Sequence, residues 1–587
     1  MENSKKNTIL AILAIAAIIL TLAVLFLTQN NKLPRDNDTE FKNGSKIQIS
    51  SLSDTQTESL YKLCKVWGYT KYYHPSVISG DLNWDAELFR VMPKILKSKD
   101  SSETNRILFV WLEQFPFKIE KTESTKNLEQ LQSIYGQQLP DTDWIKDTSF
   151  LGTDLSNYLC ELSKNITAHR EHSYAVFKNG LISFEHENMY PVSDTDSGMK
   201  LLGLFRFWNM YEYYSPYVKI TTKDWDEVLL ESIPNVATAQ DYRSYVLAIA
   251  QVTAMTGDAH MTLTDKYGIL RSYYGNYYLP CSILIIDGQA VVEQTAHTEN
   301  QLLPGDILLE IDGMPVESRI RELSQYLVLP QPDKILKKLG DSLLQTKGTS
   351  AEIVVLRNHK MISLQVTTDI NAYSYQNPFK NGFLNEENIG YIDPSALKEG
   401  DLEKLMDKFR DTKGIVVDLR YYPSVFIPYL LGEYIVPTPT EFAKLSTPNP
   451  GIPGAFFQQL LFTGKGTMKE MNHTDKTFDE YTGKIVLLID ERSSSQSEFT
   501  TMALRQSPNA VVVGSPSLGA DGDRVKLSLP GQLTFYMSGL GVYTPDNEQT
   551  QRCGLSPDIE CRPTIEGLQS GRDELIEKAV EIINTNE

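Results

Sequence analysis

The hydrophobic pattern changes several times along the chain. Residues 8–27 form an uncharged apolar run, and helical periodicity then dominates residues 55–270. Short runs of β-branched and aliphatic residues occupy 275–370. Strand and helix patterns alternate over 385–587, which predicts an α/β unit with a largely parallel sheet. The pattern therefore predicts a multidomain α+β protein, with a helical region, a β module and a C-terminal α/β domain.

The apolar run at 8–27 is about as long as a helix that crosses the hydrocarbon core of a bilayer. Lys5 and Lys6 precede it, and positive residues stay on the cytoplasmic side. We expect a single transmembrane anchor, a polar linker over 28–54, and an extracytoplasmic body in a bacterial periplasm or at the cell surface. A cleaved signal peptide is the alternative, although no small-residue cleavage site follows the run.

Charge and motif content narrow the function classes. The chain has 56 Lys and Arg against 75 Asp and Glu, a net charge of −19, which disfavours nucleic acid as a partner. The spacings typical of zinc peptidases, phosphate-binding loops and dinucleotide-binding folds do not occur. We therefore expect neither a cofactor nor a metal site.

An internal repeat lies within the helical region. Residues 60–96 and 201–237 align at one constant offset, which pairs Trp67 with Trp208. Each copy predicts a helix, an aromatic turn closed by Pro, and a second helix entered through Trp-Asp. We interpret the repeat as structural. His74 in the first copy is a candidate functional residue, but a packing role is the more common fate of such a histidine.

The β module over 275–370 contains the run Leu303–Val316, with a Pro-Gly-Asp turn, an apolar strand and an Asp-Gly turn. This run resembles the signature of PDZ domains. The resemblance implies that the module binds a peptide C-terminus as an added strand. A generic β-hairpin is the alternative interpretation.

The clearest candidate chemistry follows the predicted strand that ends at Asp490. Ser495 and Glu498 lie in an S-x-x-E run that opens a helix, where free N–H groups stabilise negative charge. The same spacing is typical of a capping box, in which both residues only satisfy backbone donors. This run alone favours the capping box.

Taken together, the PDZ-like run, the strand Val416–Arg420, the serine-rich run and the segment Val511–Gly522 resemble the tail-specific, or C-terminal processing, serine peptidases. The resemblance implies a crotonase-like catalytic domain over 385–587 and makes Ser495 the nucleophile. It further implies an oxyanion hole formed by the N–H of Gln496 and that of Ser424, where the family has a Gly-Gly turn.

The general base cannot be the lysine that the best-known branch of that family uses, because Ala520 stands at the corresponding position. Lys526 lies on a predicted strand as an exposed residue. A second branch, similar to the tricorn core peptidases, uses a histidine before the PDZ module, and His260 in a Gly-Asp-x-His turn matches it. Glu548 is the candidate residue that orients His260.

We therefore expect a membrane-anchored endopeptidase that acts on peptides or proteins through an acyl-enzyme. The loss of the lysine and of the Gly-Gly turn leaves an alternative, a catalytically inactive peptide-binding scaffold of the same fold. A structural membrane-tethered adaptor is a further alternative. The sequence sets neither the natural substrate nor the oligomeric state.

Overall fold

The computed structural model describes residues 32–119, 138–167, 169–296, 302–328, 335–384, 388–471 and 473–585. The predicted anchor at 8–27 lies outside these ranges, and within them no helix combines the length and apolar character needed to cross a bilayer. The mixed α+β multidomain architecture predicted from the sequence is confirmed.

Seventeen α-helices occur within the described ranges. They are α1 (Asp54–Tyr73), α2 (Pro75–Ile78), α3 (Trp84–Ile95), α4 (Ser101–Leu112), α5 (Thr148–Leu151), α6 (Thr153–Leu162), α7 (Ser197–Tyr214), α8 (Trp225–Ala237), α9 (Tyr242–Ala254), α10 (Val316–Leu323), α11 (Ile335–Leu343), α12 (Asp401–Phe409), α13 (Pro428–Ile435), α14 (Thr467–Glu470), α15 (Gln496–Leu504), α16 (Ile565–Gln569) and α17 (Glu574–Asn584).

The strands that build the β module and the site are β3 (Thr262–Thr264), β5 (Cys281–Ile286), β6 (Gln289–Thr295), β7 (Ile307–Ile311), β8 (Met314–Pro315), β10 (Ser350–Arg357), β11 (Lys360–Thr367), β12 (Gly382–Phe383), β13 (Ile389–Ile392), β14 (Gly414–Asp418), β17 (Lys484–Ile489), β18 (Ala510–Gly514), β19 (Arg524–Leu529), β20 (Leu533–Ser538) and β22 (Ile559–Glu560). The remaining strands are β1 (Val176–Lys178), β2 (Leu181–Ser183), β4 (Tyr277–Tyr278), β9 (Gln345–Thr346), β15 (Thr440–Pro448), β16 (Phe456–Thr463) and β21 (Gly541–Tyr543).

The two copies of the repeat have the same architecture, α1 with α3 and α7 with α8. In the first copy, the indole N–H of Trp67 donates to the carbonyl of Trp84 at 2.9 Å, and Trp84 returns the bond to Trp67 at 2.9 Å. Trp208 and Trp225 make the same reciprocal pair at 2.8 and 3.2 Å. Buried indoles with satisfied N–H groups thus lock each helix pair.

The β module is a six-stranded sheet in the order β11-β10-β7-β6-β5, with β8 paired to β7. All of its pairings are antiparallel, and α10 and α11 accompany it. The sheet of the C-terminal α/β domain has the order β12-β13-β14-β17-β18-β22, and every pairing from β13 onward is parallel. In such a sheet, functional groups gather at the carboxyl ends of the strands.

One strand joins the helical region to the C-terminal domain. β3, which follows α9, pairs with β20 so that Leu263 lies opposite Phe535. Phe535 is fully buried and contacts Phe207 edge-to-face, with ring centroids 4.6 Å apart. The β19–β20 hairpin therefore belongs to the same hydrophobic core as the helical repeat.

We predict that Phe535→Ala lowers the free energy of unfolding by about 3–5 kcal/mol, because it removes a fully buried ring and leaves a cavity. Lys526→Ala, on the exposed face of the same hairpin, is the matched control and should change stability by less than about 0.5 kcal/mol. Urea denaturation measures both. Equal effects of the two substitutions would contradict the shared core.

Candidate active site

Ser495 lies in a sharp turn between strand and helix. β17 ends at Ile489, α15 begins at Gln496, and Ser495 between them has φ +51° and ψ −112°. A residue with a side chain seldom adopts a positive φ, and such strain is typical of functional positions, where it costs of order 1–3 kcal/mol. A sharp turn of this kind presents a serine hydroxyl above a sheet.

Ser495 takes part in capping helix α15 through its backbone and not through its side chain. Its N–H donates to Oε2 of Glu498 at 3.0 Å, whereas its hydroxyl makes no side-chain capping bond to the helix. The capping role favoured by the S-x-x-E spacing alone therefore involves the backbone of Ser495. Its Oγ remains available for chemistry.

Glu498 ties the turn to the loop at 517–520. The carboxyl of this fully buried residue accepts the N–H groups of Gly519 and Ala520, each at 2.8 Å. Burial raises its pKa, while these hydrogen bonds act in the opposite direction. Burial and the charge of Glu498 also raise the pKa of neighbouring Asp521 well above its usual value. Glu498 thus fixes the backbone on both sides of the turn.

The turn is also anchored to the β module. Arg492, three residues before Ser495, contacts Glu293 of β6 at 2.7 Å and Asp490 at 2.5 Å. All three side chains are nearly buried. Because breaking a buried ion pair leaves an uncompensated charge, this contact holds the β module against the loop that carries Ser495.

His260 lies just before β3, and the sheet register sets its position. Thr262 pairs with Tyr536 in the antiparallel β3–β20 ladder, so continuing that register by two residues places His260 opposite Ser538. Nδ1 of His260 lies 3.0 Å from Oγ of Ser538. A strand pairing between the helical region and the catalytic domain therefore delivers the histidine.

Asp258 completes a hydrogen-bonded relay behind His260. The Ser538 hydroxyl donates to Oδ1 of Asp258 at 2.8 Å, and the Ser538 N–H donates to Oδ2 at 2.7 Å. Asp258 also accepts the His260 N–H at 2.9 Å and Nε2 of Gln551 at 2.7 Å. Because the hydroxyl proton points to the carboxylate, Oγ accepts from Nδ1–H, which leaves Nε2 of His260 as the basic nitrogen.

The loops of His260 and Ser495 meet at Ala520. Ala259, the residue before His260, packs against Ala520 and Leu518 in a small apolar cluster. Ala520 in turn donates its N–H to Glu498, which holds the N–H of Ser495. Ala520, which stands where the resemblance predicts a lysine, therefore provides the contact surface for the loop that carries His260.

Among the two predicted oxyanion donors, Ser424 is already engaged. Its N–H donates to the carbonyl of Pro394 at 3.1 Å, and its hydroxyl donates to Leu397 at 2.6 Å. The carbonyl of Val425, the residue after Ser424, accepts a hydrogen bond from Nε2 of Gln496 at 2.8 Å. Within the described part of the chain, the N–H groups of Gln496 and Val425 have no acceptor. The prediction for Ser424 therefore conflicts with its hydrogen bonding, and Val425 is the available neighbour.

Glu548 lies apart from this relay in an exposed turn. Its N–H donates to the Thr544 hydroxyl at 3.1 Å, and its carbonyl accepts the Thr544 N–H. The residue of this segment that reaches Asp258 is Gln551, which is fully buried. The segment that contains Glu548 therefore contributes the amide of Gln551 to the relay, and the carboxylate of the relay belongs to Asp258.

Sequence reasoning missed Asp258 and Ser538. Asp258 stood in the Gly-Asp-x-His turn and could have been recognised as an acid two residues before a candidate base. Ser538 carried no local signal, because it lies 278 residues from its partner His260.

Other candidates have structural roles. His74 is fully buried, Nε2 lies 2.9 Å from the carbonyl of Phe115, and burial lowers its pKa to about 4. A histidine that stays neutral in the core acts in packing. Lys526 is exposed, as expected. Across the described ranges, no group of three or more His, Cys, Asp or Glu side chains could hold a metal ion.

Comparison with models of known protein families finds one match. The model of peptidase family S41 matches residues 454–561, which include Ser495 and the 517–520 loop. No curated protein sequence matches the chain.

Solved structures resemble the described fold. Mature CPAF is 14% identical with a TM-score of 0.51, and the alignment covers 66% of this chain and 98% of that one. A putative peptidase from Parabacteroides merdae is 15% identical, with a TM-score of 0.40 and coverages of 68% and 98%. The photosystem II D1 C-terminal processing protease is 14% identical, with a TM-score of 0.39 and coverages of 66% and 98%. The C-terminal part of the chain therefore contains a domain of peptidase family S41, as the resemblance to the tail-specific or C-terminal processing serine peptidases predicted.

Proposed function

We propose that this peptidase is a membrane-anchored, extracytoplasmic serine endopeptidase with Ser495 as nucleophile and His260 as base. The observation that carries the proposal is the relay from Asp258 through Ser538 to Nδ1 of His260. It fixes the tautomer whose Nε2 can accept a proton, on a loop that packs beside the Ser495 turn.

The reaction follows from these roles. Nε2 of His260 takes the proton of Ser495 as Oγ attacks the scissile carbonyl carbon. The tetrahedral oxyanion is stabilised by the N–H groups of Gln496 and Val425. Collapse breaks the C–N bond, and His260 gives its proton to the leaving amine, which leaves an acyl-enzyme. A water molecule deprotonated by His260 then attacks the ester and releases the acid.

The proposal replaces two of the expected partners. Val425 takes the place of Ser424, whose N–H is bound to Pro394. Ser538 and Asp258 take the orienting role expected of Glu548. Ser538 contacts Nδ1 of His260, and Asp258 accepts the hydroxyl proton of Ser538. The negative charge of Asp258 stabilises the imidazolium that forms during each proton transfer.

The β module supports a role in substrate capture. β5 is the terminal strand of its sheet within the described ranges, and α11 packs nearby, as a PDZ-like groove requires. We predict that a fluorescent peptide with a free C-terminus binds more tightly than the same peptide with an amidated C-terminus, measured by anisotropy. Equal affinity for the two peptides would contradict C-terminal recognition.

The anchor and location rest on the apolar run at 8–27 and the preceding lysines. Protease added to spheroplasts, in which the outer envelope is open and the cytoplasmic membrane is intact, should remove the C-terminal body while a cytoplasmic marker survives. Protection of the body in spheroplasts would contradict the extracytoplasmic location.

Turnover is the test of the function itself. The purified chain in detergent should cut an unfolded polypeptide, and N-terminal labelling should reveal new amino ends. A serine-reactive phosphonate should stop the cleavage. Binding of the polypeptide without new amino ends would favour the inactive scaffold.

A further inference from the structure

The internal repeat creates two equivalent ionic sites, and the first of them is closed. Between the two copies, Asp85 contacts Lys71 at 3.2 Å and Arg206 at 2.5 Å. Glu187 contacts the same two cations at 2.8 and 3.0 Å. All four side chains are buried, and two positive charges balance two negative charges.

The second site has lost one of its cations. Asp226, the equivalent of Asp85, contacts Lys65 at 2.7 Å. The place of Lys71 is taken in the second copy by Glu212, at the same offset that relates Trp67 to Trp208. Two carboxyl groups therefore share a single lysine at this site. Within the described ranges, the Glu212 carboxyl has no hydrogen-bond or ion-pair partner.

Among the residues that the structure describes, the second site is also open. A cleft of about 440 Å³ is bordered by Glu212 and Asp226 together with the aromatic residues Trp144, Tyr213 and Trp225. In the closed site, the Lys71 ammonium lies 4.6 Å from the ring centre of Trp67 and 4.0 Å from that of Tyr174. The cleft thus also combines carboxyl groups with aromatic side chains, but it lacks the cation that Lys71 supplies in the closed site.

Among the described residues, no lysine that lines the cleft forms an ion pair with Glu212. Lys223 forms an ion pair with Glu231 on α8, and Lys219 is exposed at the rim of the cleft. The ammonium of Lys65 is held by Asp226 and lies 5.1 Å from the ring centre of Trp144. The negative charge of Glu212 therefore lacks a dedicated counter-charge among these groups.

We propose that the cleft binds an alkylammonium group, which occupies the place that Lys71 fills in the equivalent site and pairs with Glu212 beside the aromatic rings. A lysine side chain of a polypeptide and a free aliphatic amine both carry this chemistry. The described residues form no metal-ion cluster, and aromatic faces favour an organic cation through cation–π attraction. The proposal does not depend on the catalytic role of Ser495.

Binding should depend on pH through Glu212. Burial raises its pKa to about 7, the charges of Asp226, Asp141 and Asp224 act in the same direction, and Lys65 opposes them. Because only the ionised carboxylate attracts the ammonium, affinity should rise as pH rises through 7. Going from pH 6 to pH 8 increases the ionised fraction, and with it the affinity, about tenfold.

Calorimetry on the full chain in detergent tests the proposal with three probes: N-acetyl-lysinamide, 1,5-diaminopentane and N-acetyl-norleucinamide. We expect saturable binding of an ammonium-bearing probe, about tenfold tighter at pH 8 than at pH 6, and none of the uncharged norleucine analogue. Binding of N-acetyl-lysinamide alone supports a polypeptide source, and binding of the diamine alone supports a free amine.

Variants provide the controls. Glu212→Gln should weaken ammonium binding at least tenfold, and Glu212→Lys should abolish it while raising the melting temperature, because it restores the cation of the closed site. Glu161→Gln, an exposed carboxylate on α6, should leave binding unchanged. Equal binding of the norleucine analogue, or undiminished ammonium binding by folded Glu212→Gln and Glu212→Lys, would overturn the proposal.

Discussion

Ser495→Ala should reduce kcat by about 10⁵- to 10⁶-fold, because it removes the only atom that forms the acyl-enzyme. The oxyanion donors and the substrate-binding surfaces remain, so KM should change little. The strained φ of Ser495 belongs to the backbone, and the Ser495 N–H bond to Glu498 survives the substitution. Single-turnover cleavage of an unfolded polypeptide measures the loss.

Ser494→Ala is the matched control, one residue earlier in the same serine-rich run and similarly half-buried. It should keep kcat within about threefold of wild type, as surface substitutions usually do. A large loss in Ser494→Ala with activity retained in Ser495→Ala would move the nucleophile by one residue.

His260→Ala should reduce kcat by about 10⁴- to 10⁶-fold, because no other group in the relay can take the Ser495 proton. The histidine is nearly buried just before β3, so circular dichroism and the melting temperature should accompany the kinetics. Retained activity in the folded variant would assign the base to another group.

Substitutions of Asp258 and Glu548 test which of the two carboxylates orients His260. In Asp258→Asn, the new amide can donate to Ser538, whose proton then turns toward Nδ1 of His260 and selects the wrong tautomer. We expect a loss of about 10³- to 10⁴-fold in kcat. Glu548→Gln, in its exposed turn, should stay within twofold of wild type, with an unchanged pH profile. The reverse order would restore Glu548 as the orienting residue.

Local patterns predicted the parts of the site that local structure forms. A strand ending at Asp490 and a helix opened by an S-x-x-E run predicted the elements on either side of Ser495, and the family resemblance selected that serine. The structure places it in a strained turn at the carboxyl end of β17. The repeat was visible because rare aromatic residues recur at one offset, and its indoles make the same reciprocal bonds in both copies. Turns and helix starts depend on residues that are close in sequence, so local patterns can predict them.

The other contacts of the site join residues that are far apart in sequence, so local patterns could not predict them. Ser538 meets His260 only because β3 leaves the helical region and joins β20, a register that no local pattern encodes. Ser424 was chosen by its place after the strand, but the bond from its N–H to Pro394 depends on how the chain folds back after β13. Glu548 and Gln551 differ by three positions, and only the packed structure shows which one faces Asp258.

The most direct test of the catalytic account is covalent labelling with a serine-reactive fluorophosphonate, read by intact mass and peptide mapping. The full chain in detergent should gain one label, located on Ser495, and the label should be absent from Ser495→Ala and strongly slowed in His260→Ala. No labelling of the wild type, or labelling at another serine, would contradict Ser495 and His260 as the catalytic pair.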